Sequence, residues 1–112
     1  MKGETLKGHL DLLLLAVLHR CPAHGYAVIE ALRDLSGEAF DLPEGTVYPA
    51  LHRLERNGLI RSDWSEESGR KRRVYELTPA GREALEKQCE DWHRFAEGVN
   101  ALLREVMAPC PV

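Results

Sequence analysis

Residues 42–60 read LPEGTVYPALHRLERNGLI, and the reading of this stretch decides the fold. Val47, Ala50, Leu51 and Leu54 recur at helical spacing and make one apolar stripe. At about 100° per residue, Pro49, His52, Arg53 and Arg56 then face the other way. Asn57-Gly58 ends the helix, because a left-handed C-cap favours glycine. Leu59 and Ile60 open an extended segment, and residues 68–73, SGRKRR, follow as a basic run after a turn. A helix with a basic outer face, followed by a hairpin with cations at its tip, suits major-groove and phosphate contact. Each feature alone also fits a solvated helix or a charged loop. The order helix, helix, helix, hairpin is what favours a reader of double-stranded DNA.

Pro49 lacks the N–H that would bond back one turn. Two solutions stay open. The helix starts with Thr46 as N-cap, which puts Pro49 in the first turn, or it starts near Glu44 and accepts a local kink. Either way Thr46, Tyr48 and Pro49 lie near the end that commonly meets base edges in a helix-turn-helix.

Working outward, residues 60–65 and 72–78 read as two strands around the turn Glu67-Ser68-Gly69, with Trp64, Val74, Tyr75 and Leu77 as β-favouring residues. This is the candidate wing, its cations at Arg70, Lys71, Arg72 and Arg73. Upstream, residues 24–36 form a helix on Val28, Ile29, Leu32 and Leu35, with Gly37 as its C-cap. Residues 38–42 connect, with one extended pair at Asp41-Leu42. The lone His24, near that helix start, reads as a structural hydrogen-bonding or packing residue.

The first helix spans residues 6–20. Leu6, Leu10, Leu13, Leu14, Val17 and Leu18 make a stripe, yet Leu12 and Leu15 are apolar too. A helix apolar all round must be covered on more than one side, and a second subunit supplies that cover. At the other end, Thr78-Pro79 starts a helix that runs to about Met107. Leu85, Cys89, Trp92, Ala96, Val99, Leu103 and Val106 alternate by four and three along it, a heptad-like seam widened by Phe95 and Leu102. We expect a homodimer whose interface is built from Leu6, Leu10, Leu13, Leu14, Trp92, Phe95, Val99 and Leu103.

The chain's 112 residues carry a net charge of −3, which excludes a basic nucleic-acid coat. The charge is unevenly placed. Residues 44–77 hold seven Arg or Lys against six Asp or Glu, and both flanking parts are net acidic. A DNA reader of this composition must gather its cations on one face. Three cysteines without a Cys-x-x-Cys fit reduced thiols in a cytoplasm. No signal peptide is visible, and the apolar run 12–18 is too short to span a bilayer. Neither a catalytic triad, nor a phosphate-cradling glycine loop, nor a zinc-protease pattern occurs, so an enzyme is not expected. Cys89 and His93, four apart, and the group His19, Cys21, His24 match no strong ligand spacing. No metal or cofactor is expected, and Cys89 reads as a buried structural thiol. The competing readings are a metal- or ligand-sensing module and a protein-interaction winged helix without operator binding.

The stretches GHLDLLLLAVL (8–18), PAHGYAVIEAL (22–32), LPEGTVYPALHRLERNGLI (42–60) and RRVYELTPAGREAL (72–85) together resemble the PadR family of winged-helix transcriptional regulators. The single C-terminal helix is similar to that family's short-tailed branch. The fold so implied is mainly α with a small β-hairpin. It comprises a winged helix-turn-helix over residues 1–78, whose first helix also serves the dimer, and a C-terminal dimerisation helix over 79–108. The resemblance implies a homodimeric regulator of promoter DNA, usually a repressor. It places DNA contacts at Thr46, Tyr48, Pro49, His52 and Arg53 and on the wing at Arg70, Lys71, Arg72 and Arg73. It also implies release by a small aromatic effector near the dimer interface, with Trp92 at the matching position.

Overall fold

Among the described residues seven elements follow one another: α1 (Leu10–Arg20), β1 (Ala23–His24), α2 (Gly25–Leu35), α3 (Glu44–Arg56), β2 (Ile60–Glu67), β3 (Arg70–Leu77) and α4 (Pro79–Met107). They are drawn from a computed structural model that describes Leu6 and residues 8–110. The helix expected from residue 6 is interrupted: Leu6 is helical, but α1 itself starts at Leu10. Gly8 holds φ at +91°, a left-handed backbone that a helix cannot continue through, and His9 becomes the N-cap. Residues 1–5 and 7 of the expected first domain lie outside the described residues.

α1, α2 and α3 pack on a three-stranded sheet of order β1-β3-β2. Leu14, Leu15, Val28, Val47, Leu51, Leu54 and Ile60 are sealed completely at the centre. The α3 stripe of Val47, Ala50, Leu51 and Leu54 is wholly buried, as its spacing requires. Leu6 and Leu14, expected at a dimer interface, are 4% and 0% exposed and belong to this core instead, enclosed within the single chain. The third strand comes from Ala23 and His24, paired with Tyr75 and Val74. The expected extended pair at Asp41-Leu42 is irregular backbone, with Leu42 buried.

α3 stops at a Schellman cap. Gly58 takes φ +78°, its N–H donates to the Glu55 carbonyl, and Leu59 N–H donates to the Leu54 carbonyl, both at 3.0 Å. That cap is also the root of α4. Thr78 Oγ1 accepts from Gly81 N–H at 3.1 Å and donates to the Gly58 carbonyl at 2.6 Å, and Thr78 N–H donates to the Leu59 carbonyl at 3.1 Å. Gly81 lies so close to Leu59 that an added Cβ would stand 1.9 Å from its carbonyl oxygen. Trp92 and Phe95 still meet His9 of the head, and beyond them the helix carries its apolar side chains exposed. The radius of gyration is 17.1 Å, against about 13 Å for a compact chain of this length.

Candidate nucleic-acid interface

Of the two solutions open for Pro49, the structure takes the longer helix. α3 begins at Glu44 with Pro43 as N-cap, and Pro49 sits inside it. The bond from residue 49 to the Gly45 carbonyl is therefore missing. Pro43 offers no side-chain cap, while its carbonyl accepts from Thr46 N–H at 3.0 Å and Val47 N–H at 3.2 Å. Gly45 faces open space, where nothing within 4 Å would meet a Cβ.

The side chains expected to touch DNA have different fates. Pro49 and His52 are exposed on the outer face of α3, and Thr46 is half-buried. Tyr48 lies against α2: a Cβ on Gly25 would come within 2.4 Å of its ring, so only glycine lets α2 and α3 approach this closely. Arg53 reaches back to α1 and pairs with the Asp11 carboxylate.

In the wing, the turn shortens to Ser68-Gly69, both with positive φ (52° and 76°), the signature of a two-residue I′ hairpin. β2 and β3 are thereby longer at the tip than expected, with Glu67 opposite Arg70 and Trp64 opposite Arg73. The basic run is a strand and not a loop, so its side chains alternate between faces. Arg70 and Lys71 are exposed at the tip. Arg72 turns to His24, with Nη1 2.8 Å from Nε2. Arg73, still exposed, lies along the sheet: its Nε–H donates to Ser62 Oγ at 2.7 Å, Ser62 donates in turn to the Glu55 carboxylate of α3, and the guanidinium lies over the Trp64 ring at 5.3 Å. This relay ties wing to helix. Neither Glu55 nor Ser62 stands out in the sequence, since a Glu on a helix and a Ser on a strand are ordinary surface residues.

Between the N-terminus of α2, the start of α3 and the root of the wing lies a cavity of about 490 Å³, lined by Tyr48, Arg70, Arg72, Arg73 and Tyr75 among others. Burial, helped by the nearby Glu55 carboxylate, pushes the Tyr75 hydroxyl above its ordinary pKa, so it stays a neutral donor. Tyr75 too went unnoticed as a site residue, because its place in a β-favouring run marks it only for packing.

On the far side, α1 and α4 enclose a groove of about 400 Å³ lined by Leu6, His9, Leu13, Phe40, Trp92 and Phe95. His9 meets Trp92 edge-on at 5.5 Å, and Phe95 tilts against it at 6.0 Å. Phe95, Leu102, Leu103 and Val106 are more than half exposed along the arm. Cys89, expected as a buried thiol, is exposed in the single chain, whereas its neighbours Gln88 and Trp92 line a groove with His9. Among the described residues no group of three or more His, Cys, Asp or Glu is placed to hold a metal, and no helix is long and apolar enough to cross a membrane.

Comparison with known proteins gives a consistent result. The model of the transcriptional regulator PadR-like family matches residues 14–87. The chain is 45% identical over 75 residues to the transcriptional regulator Rv3488 of Mycobacterium tuberculosis, a match covering 67% of this chain and 64% of that protein. Among solved structures it is similar to a PadR family transcription regulator from Clostridium difficile R20291, with 34% identity, a TM-score of 0.77, and coverage of 86% of this chain and 99% of that one. A PadR-like transcriptional regulator from Bacillus cereus aligns at 30% identity with a TM-score of 0.80, over 90% of this chain and 97% of that one.

Proposed function

The chain belongs to the transcriptional regulator PadR-like family, a family of non-enzymatic DNA-binding regulators, and on that footing we propose that it is a homodimeric repressor which reads a paired operator and releases it when a small aromatic molecule binds. One observation carries the DNA side of this reading. Tyr48 of α3 and Arg70, Arg72 and Arg73 of the wing border a single cavity, so helix and wing offer one continuous basic surface. In this reading residues 1–78 form the DNA-binding head and 79–108 the dimerisation arm.

Within that surface, Pro49, His52 and Thr46 lie where base edges would pass, while Arg70 and Lys71 reach phosphates from the wing. Arg53 and Arg73, held by Asp11 and Ser62, set the geometry of the surface more than they neutralise DNA. The bare stripe of Phe95, Val99 and Leu103, continued by half-buried Leu10 and Leu13, is the surface a second arm would cover. Two heads with recognition helices about 34–36 Å apart would enter successive major grooves on one side of the duplex. An aromatic molecule beside Trp92 would act through the arm, by binding one arrangement of the two arms better than the other. Such a regulator works in the cytoplasm, where promoter DNA lies.

The test is binding of the protein to its own upstream promoter across a salt series, against a scrambled duplex. The expected outcome is preference for the promoter and a steep fall of affinity with salt. Failure to bind any duplex at low salt would overturn the reading in favour of a protein-interaction module.

A further inference from the structure

The cavity at the wing root carries more than its share of a surface. Its lining holds three arginines and, among the described residues, no carboxylate. It opens at the N-terminus of the 11-residue helix α2, where first-turn N–H groups and the helix dipole favour an anion. Two further features inside it point to a ligand.

The first is a count of donors at His24. Ala27 N–H donates to Nδ1 at 3.2 Å, and Arg72 Nη1 stands 2.8 Å from Nε2. A neutral imidazole has one donor nitrogen and one acceptor, and a guanidinium has donors only. Whichever nitrogen carries the proton, one of the two contacts sets donor against donor. The cluster is short of one lone pair, which an oxyanion in the cavity supplies. The second feature is Tyr75. It is 2% exposed, and its hydroxyl has no hydrogen-bond partner among the described residues. Nor is that hydroxyl sealed off, since no enclosed polar side-chain atom lacks a partner. It opens onto the cavity that Tyr75 lines, across from Tyr48, whose own hydroxyl lies against Gly25.

We propose that this cavity seats one phosphate group, held by Arg72, His24 and the hydroxyls of Tyr48 and Tyr75. The inference rests on the DNA-binding reading, because a backbone phosphodiester is the phosphate that α3 and the wing would bring to it. Free inorganic phosphate shares the chemistry. The volume leaves room for the sugars flanking a phosphodiester.

Tyr75→Phe is the decisive variant. It keeps the buried ring and removes only a hydroxyl without a partner, so the urea midpoint should stay at the wild-type value. Affinity for the promoter duplex should fall about tenfold, the scale of one hydrogen bond to a charged group. The salt slope should not change, because no charge is lost. Arg72→Gln should lower both the affinity and the slope, the latter by about one. Methylphosphonates placed one at a time in the duplex then locate the phosphate. At one position per half-site, neutralisation should weaken the wild type more than it weakens Tyr75→Phe, in which Arg72 still meets the phosphate. Titration of inorganic phosphate onto the free protein, read at the Gly25 and Tyr26 amides by NMR, separates the sources. Saturable shifts absent from Arg72→Gln mean that the seat accepts free phosphate as well. Duplex effects without shifts mean that it takes the DNA phosphodiester alone. Wild-type duplex affinity in Tyr75→Phe, with no amide shifts, overturns the proposal. If the wild type binds no duplex, the DNA reading fails and the amide titration alone decides the seat.

Discussion

The head and the arm of this chain dispose of their apolar side chains in opposite ways. In the head, Leu14, Leu15, Leu51 and Leu54 are all at 0% exposure, enclosed by a single copy of the chain. In the arm, Phe95, Leu102 and Val106 stand 60–66% exposed, and Gly81 alone among the residues of α4 is buried. The two regions carry the same kind of helical stripe, but only the head also carries the elements that cover one. An apolar seam on a 29-residue helix that outruns its own domain is therefore information about a partner, whereas the same seam at α3 is information about folding.

The contrast can be broken most directly at its two poles. Leu51→Ala should lower the free energy of unfolding by about 2–5 kcal/mol, measured by urea denaturation. Leu103→Ala, at half exposure, should move the dilute protein by no more than about 0.5 kcal/mol; equal costs would mean that the arm is part of the core. In the arm, Val99→Asp with Leu103→Asp should raise the dimer dissociation constant by at least about thirtyfold, the scale of a ~2 kcal/mol hot spot. Sedimentation would then show monomers, and the melting temperature would lose its dependence on concentration. An unchanged oligomeric state would leave the exposed stripe without its proposed cover.

Within the head, free and tied cations should separate. Arg70→Ala with Lys71→Ala should reduce the slope of log affinity against log salt by about two, and weaken all sequences alike. Arg53→Ala removes a residue already paired with Asp11, an exposed pair that contributes about 0.2–1 kcal/mol to stability, and should change the slope less. The smallest effect concerns Tyr75. Its folded-state pKa is raised above the ordinary 10.0, by burial first and by Glu55 second. The folded state thus holds the proton more tightly. Stability is intact below pH 10 and falls as the pH rises through the folded-state value. Denaturation midpoints should show that alkaline loss in the wild type and a flatter profile in Tyr75→Phe.

Much of this was legible in the sequence because it depends on local rules. The α3 stripe, the Asn57-Gly58 stop, the Thr78-Pro79 start and the hairpin follow from spacing and turn chemistry. What escaped needs two distant segments at once. A two-residue strand such as Ala23–His24 has no periodicity of its own and exists only because β3 offers it an edge. Leu14 sits on the same apolar helix as Leu10 and Leu13, and only the packing of the other elements decides which of them are enclosed. Strands read as 60–65 and 72–78 leave Arg70 and Lys71 at a loop tip, whereas the two-residue turn carries β3 back to Arg70. As a strand, it sends Arg72 and Arg73 to opposite faces, where His24 and Ser62 await them, and no pattern in either segment announces those meetings.

The junction at Thr78 and Gly81 gives the arm the character of a lever with a welded fulcrum. Three hydrogen bonds and a glycine pressed on the Leu59 carbonyl leave α4 little freedom to swivel where it leaves the recognition helix. Twenty-nine residues at about 1.5 Å each make a rod of roughly 43 Å. A tilt of about 5° at one end of such a rod displaces the other by roughly 4 Å, comparable with the ~3.4 Å rise of a base pair along the duplex. Because the rod is fixed to the same turn that ends α3, a small change of crossing angle between two arms of the proposed dimer would be delivered undamped to the spacing of the two α3 helices. Mechanical gain is thus built into the chain by a threonine and a glycine.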